Sequence, residues 1–190
     1  MDWRVGTMVM YRKKLFLIFV LCISLFLSSC SHQSSSCVET DYNIFLNEVP
    51  YSNNHMPYLH ELGNYESISI TSKTTNNFLW ADTYTISLIV EYDETSFINV
   101  KKGILEQYTF LEDPNNRLLD CEAESNGFNI KVVEKEEFLT GDAAYYYPKY
   151  FLMIGINDGT NQIAYLFHHD FDLDTIKNLD QFIETYYVLN

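Results

Sequence analysis

Hydrophobic and polar residues alternate along residues 80–92, which is the clearest strand pattern in the chain. The even positions are mainly aromatic or aliphatic, whereas the odd positions carry mostly small and hydroxyl side chains. A period of two predicts a β-strand with one buried face and one wetter face. Residues 65–71 contain Ile68 and Ile70 with the same alternation, so we expect the two segments to pair as a hairpin.

Three later segments also have the character of strands. Apolar and polar residues alternate over residues 128–135. Residues 150–156 are instead continuously apolar and are predicted to lie centrally in a sheet. Residues 162–168 follow a turn that contains Asp158-Gly159, a pair typical of β-hairpins. Residues 118–127 are predicted to be a loop. The sequence thus predicts about five strands.

Apolar residues spaced three and four apart predict three helices, over residues 41–49, 93–111 and 174–189. Asp93 is expected to cap the second helix, and Asp172 or Asp174 the third. Each apolar stripe must pack against something, and the sheet is the obvious partner. The predicted fold class is α+β, a two-layer domain with a mostly antiparallel sheet of about five strands and amphipathic helices packed on one face.

A different pattern fills the N-terminus, where Arg-Lys-Lys at residues 12–14 precedes an apolar run over residues 15–27. A run of about thirteen residues fits a secretory signal peptide and is short for a membrane span of roughly twenty residues. Leu-Ser-Ser-Cys follows at residues 27–30 and resembles the lipobox of bacterial lipoproteins. The resemblance implies cleavage before Cys30 and a diacylglyceryl group on its sulfur, and two acyl chains make a durable membrane anchor.

The chain divides into three parts on this basis. Residues 1–29 form the signal peptide, and Met10 stands next to the cationic residues, so residues 1–9 are interpreted as preceding the natural start. Residues 30–37 comprise the lipidated cysteine and a flexible, serine-rich tether. Residues 38–190 are predicted to form a single α+β domain, large enough to bury a core. The expected location is the cell membrane, lipid-anchored on the extracytoplasmic face, either the periplasmic side or the cell surface.

The part that follows Cys30 is strongly acidic. It contains eight Lys and Arg against twenty-five Asp and Glu, a net charge of −17 with histidine neutral. Such a surface repels phosphate backbones, which argues against nucleic acid as a partner, and it also argues against direct docking to anionic lipid. Acidity serves solubility in any case, and it permits cationic partners or divalent metals.

Two cysteines remain when the signal peptide is removed and Cys30 carries lipid. An exported location permits a disulfide between Cys37 and Cys121, which would stabilise the fold by about 4 kcal/mol in the chain-entropy model. The alternative is two free thiols. The sequence has no C-x-x-C motif that would indicate redox catalysis.

A cluster of His168, Asp170, Asp172 and Asp174 lies at a predicted strand-to-helix junction. Alternating acids resemble the first half of a calcium loop, but the turn glycine and the final acid of that loop are missing. The histidine and the carboxylates could instead bind a transition metal. In the other interpretation the acids cap the helix and the histidine is solvated. No other cofactor is indicated.

Tyrosine is abundant, with fifteen in the chain, and Tyr145, Tyr146 and Tyr147 are consecutive. Their rings could contact a glycan or a protein partner, or they could pack in the core.

No catalytic motif is present, so the sequence favours a non-catalytic binding or assembly module at the cell envelope over an enzyme. One alternative is a small envelope hydrolase or metal-dependent enzyme that uses residues 168–174. Another is an inhibitor or immunity-type lipoprotein that binds a cationic partner.

Overall fold

The computed structural model describes residues 31–32, 39–49, 52–75, 83–113, 120–134, 150–170 and 176–189. This part of the chain forms one antiparallel sheet with three α-helices and two short 3-10 helices, Ser52–Asn54 and Leu59–Glu61. In chain order the elements are β1 (Ser31–His32), α1 (Glu39–Glu48), β2 (Ser67–Thr75), β3 (Thr83–Glu91), α2 (Glu94–Gln107), β4 (Glu122–Ser125), β5 (Phe128–Val132), β6 (Tyr150–Asn157), β7 (Gln162–Asp170) and α3 (Leu179–Tyr186).

The sheet has the strand order β1-β2-β3-β7-β6-β5-β4. β2 pairs with β3 and β6 pairs with β7, as the hairpin patterns predicted. β3 and β7 then pair antiparallel in the middle and join the two hairpins into one sheet. The predicted α+β class with a mostly antiparallel sheet is therefore confirmed. Within the described residues β1 and β4 raise the strand number above the expected five.

The two faces of the sheet bury two separate hydrophobic cores. The first core contains Tyr42 and Leu46 of α1, Phe97 and Ile104 of α2, and the sheet residues that face them. The second contains Leu179 and Ile183 of α3 together with the alternate residues of the same strands. The helices were expected on one face, and α1 and α2 do share one, but α3 lies on the other. An apolar stripe shows that a helix packs on the sheet without specifying which face it covers.

Covering both faces changes the environment of the central strands. Thr85 and Ser87 belong to the face of β3 that was expected to be wetter, yet they are only 3% and 2% exposed. Their strand partners in β7 are His168 and Leu166, which are buried on the face that α3 covers. The sheet is thus a middle layer with a core on each side.

Helix α2 begins where the sequence predicted. The Asp93 carboxylate accepts hydrogen bonds from the backbone N–H groups of Thr95 at 2.9 Å and Ser96 at 3.0 Å, and these N–H groups would otherwise lack partners. The Ser96 hydroxyl also donates to this carboxylate and is the main reason that the pKa of Asp93 is lowered.

Helix α3 is shorter than the predicted span of residues 174–189. Its N-terminal cap is Asn178, whose side chain accepts a 2.7 Å hydrogen bond from the Gln181 backbone N–H. The expected caps Asp172 and Asp174 lie outside the described residues. Among the helices that the structure describes, none is both long and apolar enough to cross a bilayer.

Two segments that were expected to be irregular are strands. Ser31 and His32, assigned to the flexible tether, form β1 and pair with Thr75 and Thr74. Part of the predicted loop over residues 118–127 is β4, which joins β5 through a two-residue turn.

Candidate binding cavity

A cavity of about 510 Å³ lies on the sheet face that α1 and α2 cover. Its sheet residues are Tyr92, directly after β3, and Tyr165 of β7, and its walls are helix α2 and the segment 53–62. The volume falls within the range of about 300–1,000 Å³ that is usual for small-molecule sites.

The wall formed by residues 53–62 is held against helix α1 by hydrogen bonds. The Ser52 hydroxyl lies 3.0 Å from the carbonyl oxygens of both Leu46 and Val49, so it bonds the last turn of the helix. The buried Tyr42 hydroxyl donates a 2.8 Å hydrogen bond to the carbonyl of Pro57. Because both bonds come from buried side chains, the position of this wall is fixed before any ligand arrives.

The opposite wall is one face of α2. Val100, Gly103, Ile104, Gln107 and Tyr108 line the cavity, and their spacing of three and four places them on a single helix face. Gly103 leaves open space here, because a Cβ added to it would meet no atom within 4 Å. The cavity owes part of its width to this missing side chain.

Tyr92, Tyr108 and Tyr165 of the lining keep their protons at neutral pH, and so does Tyr42, whose hydroxyl bonds the wall at Pro57. Burial raises the pKa of Tyr92 to about 12 and also raises the pKa of Tyr42, Tyr108 and Tyr165. The Glu61 carboxylate adds to the upward shift at Tyr42 and Tyr108, since a nearby negative charge disfavours a phenolate. These side chains therefore present neutral hydroxyls, which can both donate and accept hydrogen bonds.

Tyr92 is the most unusual of them. Its side chain is 1% exposed, and its hydroxyl makes no hydrogen bond with any residue that the structure describes. Its backbone N–H donates a 3.1 Å bond to the Asn161 carbonyl, which fixes the end of the strand. A buried polar group without a partner costs about 1–3 kcal/mol, and a ligand that bonds it would recover that cost.

Glu61 is the charged residue at this site. One carboxylate oxygen accepts a 2.8 Å hydrogen bond from the Tyr58 backbone N–H, and the side chain is exposed at the rim. No lysine or arginine belongs to the described lining. The described lining thus holds one carboxylate and one histidine, His55, but neither lysine nor arginine, which disfavours anionic ligands.

His168, the centre of the predicted metal cluster, lies on the other face of the sheet and is not solvated. It is 1% exposed, and its ring lies 4.8–5.5 Å, centroid to centroid, from the rings of Phe151, Phe182 and Tyr186. Burial, assisted by the neighbouring His169, lowers the pKa of His168 to about 3, so the ring is neutral. The expectation of a solvated histidine is wrong, because α3 covers this end of β7.

The acids of that cluster are only partly described. Asp170 accepts a 3.1 Å hydrogen bond from the Thr83 hydroxyl, which ties the last residue of β7 to the first of β3. Asp172 and Asp174 lie outside the described residues. Within the described ranges, no three His, Cys, Asp or Glu side chains are grouped as a metal ion would require. A divalent metal at this junction stays a prediction.

The remaining candidate residues are mostly outside the described part of the chain, namely Cys30, Cys37, Tyr145, Tyr146 and Tyr147. Cys121 is described as a free, buried thiol whose sulfur lies 3.6 Å from the Glu112 carbonyl oxygen. Burial and the adjacent Glu122 raise the pKa of this thiol, which opposes formation of a reactive thiolate. The disulfide with Cys37 stays a prediction.

The sequence patterns did not predict the cavity, because its lining comes from segments far apart in the chain. Gly103, inside an otherwise helical pattern, is the one signal that could have drawn attention to this face. In comparisons with known proteins, the chain matches no family model, no curated protein and no solved structure at a significant level.

Proposed function

We propose that this chain is a bacterial lipoprotein, anchored through Cys30 on the extracytoplasmic face of a membrane, and that its domain is a non-catalytic binding module. The cavity between α2 and residues 53–62 carries the binding part of the proposal. The cationic residues 12–14, the apolar run and the lipobox-like residues 27–30 support the anchoring part.

The chemistry of the lining supports binding over catalysis. An effective general acid or base has a pKa near the working pH. The pKa values of Tyr92, Tyr108 and Tyr165 in the lining are instead moved upward, away from neutrality. Such side chains hold a ligand through neutral hydrogen bonds and ring contacts without exchanging protons with it.

Anchoring is tested by growing cells that express the full chain with a clickable analogue of palmitic acid. The wild type is expected to incorporate the label and to sediment with membranes, whereas Cys30→Ala is expected to lose the label. Cys121→Ala is the matched control, because its buried thiol should leave labelling unchanged. Label on the Cys30→Ala protein, or an unlabelled wild type, would contradict the proposal.

A second candidate follows from the net charge of −17 beyond Cys30, which suits an inhibitor or immunity-type lipoprotein that binds a cationic protein. Its complex would weaken steeply between about 0.05 and 0.5 M salt, because exposed charges are screened. Binding of a small ligand in the cavity would change little over that range. An enzyme at residues 168–174 gains no support, since α3 buries His168.

A further inference from the structure

We infer that the cavity binds a neutral, polyhydroxylated ligand of the size of a mono- or disaccharide. This inference deepens the proposed binding function and rests on it. It combines three properties of the lining: groups that both donate and accept hydrogen bonds, the absence of lysine and arginine among the described lining residues, and tyrosine rings next to accessible space.

The hydrogen-bonding groups favour a ligand made of hydroxyls. Asn53, Asn54 and Gln107 each offer an amide with donors and an acceptor, and Tyr92 adds a buried hydroxyl. A sugar hydroxyl likewise donates one bond and accepts others, so it can satisfy such a set. An ammonium group only donates, and it would leave the amide N–H groups without acceptors.

The charge of the lining argues against anionic ligands. A phosphate or carboxylate would need positive side chains, whereas the charged group at this site is the Glu61 carboxylate. Because one of its oxygens is occupied by the Tyr58 N–H and the side chain is exposed, Glu61 acts at the rim and can accept from a ligand hydroxyl there. The deeper part of the site, at Tyr92 and Tyr165, is neutral.

The aromatic residues supply the apolar contact that a sugar ring needs. Tyr58 and Tyr108 are half-buried on opposite walls, so part of each ring stays accessible. The C–H faces of a pyranose can pack on such rings while its hydroxyls reach the amides. Tyr92 lines the cavity from the sheet side, and its buried, unpartnered hydroxyl is the group that an entering ligand hydroxyl would bond.

The test uses the full-length chain in polyoxyethylene detergent micelles, which carry neither a sugar nor an ammonium headgroup. Neutral mono- and disaccharides are screened by saturation-transfer difference NMR, with choline and inorganic phosphate as charged comparators. At least one sugar is expected to bind. Tyr92→Phe should weaken its Kd about tenfold, since the substitution removes one buried hydrogen bond worth roughly 1.4 kcal/mol.

Tyr187→Phe is the matched control. Tyr187 is also a buried tyrosine whose hydroxyl has no hydrogen-bond partner among the described residues, but it belongs to the core on the other face of the sheet. The Tyr187→Phe substitution should therefore leave the Kd of the sugar unchanged. Gly103→Leu, which fills open space at the cavity wall, should abolish binding without unfolding the domain.

The outcomes separate this inference from the function on which it rests. If choline or phosphate binds and Gly103→Leu blocks it, the binding function stands and the neutral ligand class is overturned. If none of these compounds binds to the wild type, the inferred ligand class is overturned, while the anchoring part of the proposed function is decided separately by the labelling of Cys30. A sugar whose Kd changes equally in Tyr92→Phe and Tyr187→Phe would also refute the proposed contact.

Discussion

Replacing His168 by phenylalanine should remove a large part of the domain's sensitivity to acid. In the folded protein the ring is buried among aromatic side chains, and burial lowers its pKa from 6.5 to about 3. The unfolded chain exposes the ring and binds a proton below pH 6.5, whereas the folded domain does not. His168 therefore stabilises the fold fully above pH 6.5, and this contribution is lost as the pH falls from 6.5 towards 3.

The size of this loss of stability follows from one proton, which the unfolded chain binds at His168 and the folded domain does not. Each pH unit below 6.5 costs up to about 1.4 kcal/mol of unfolding free energy, so acidification to pH 4.5 should remove about 2 to 3 kcal/mol through this one side chain. His168→Phe keeps a flat ring in contact with Phe151 and Phe182, and it also removes ring nitrogens that have no partner among the described residues.

The assay is urea denaturation of wild type and variant at pH 7.5 and pH 4.5, with extrapolation to water. The wild type is expected to lose about 2 to 3 kcal/mol more than His168→Phe between the two conditions. Carboxylates that titrate in both proteins cancel in this comparison. His60→Phe is the matched control, because His60 is exposed and its replacement should preserve the wild-type acid sensitivity. Equal losses in wild type and His168→Phe would refute the reasoning.

Two glycines should respond in opposite directions. Gly103→Ala is expected to raise the unfolding free energy by about 0.5–1 kcal/mol in urea titrations, because alanine favours the helix and its Cβ meets no atom; a loss of stability would show that the α2 face is closed. Gly127→Ala is expected to lower the unfolding free energy by about 1–3 kcal/mol. This residue has φ +82°, and an added Cβ would lie 2.9 Å from the Asn157 side chain. Unchanged stability of that variant would exclude this turn geometry.

Periodicity and turn residues identified most of the elements. β3 was predicted from a spacing of two and α2 from spacings of three and four, whereas β7 was predicted from the Asp158-Gly159 turn before it, and Asp93 was correctly placed as a cap. β4 was missed because its sequence, Glu-Ala-Glu-Ser, is short and polar. The signal was nevertheless present, since Asn126-Gly127 adopts positive φ values of 49° and 82° and forms the two-residue turn typical of hairpins.

Three-dimensional relations between elements were beyond the reach of these patterns. A helix pattern cannot say which side of a sheet it covers, so the position of α3 and the burial of His168 could not be derived. The same limit applies to the cavity, where Tyr92 and Tyr165 meet residues 53–62 only because of the strand pairing and the packing of α2. The candidate site thus depends on tertiary contacts rather than on a local motif.

The pairing of β1 with β2 has a consequence for how far the cavity stands from a membrane. Ser31 of β1 pairs with Thr75, and Thr75 pairs with Thr83, so these three residues form one row across the sheet. Tyr165 and Tyr92 are five and nine residue steps from that row, which is about 17 and 30 Å at roughly 3.3 Å per residue. In the lipid-anchored form that we propose, Cys30 immediately precedes β1, so this row would border the headgroups. With the strands directed away from the membrane, the cavity would project into the aqueous phase and sample dissolved molecules instead of the lipids that hold the protein.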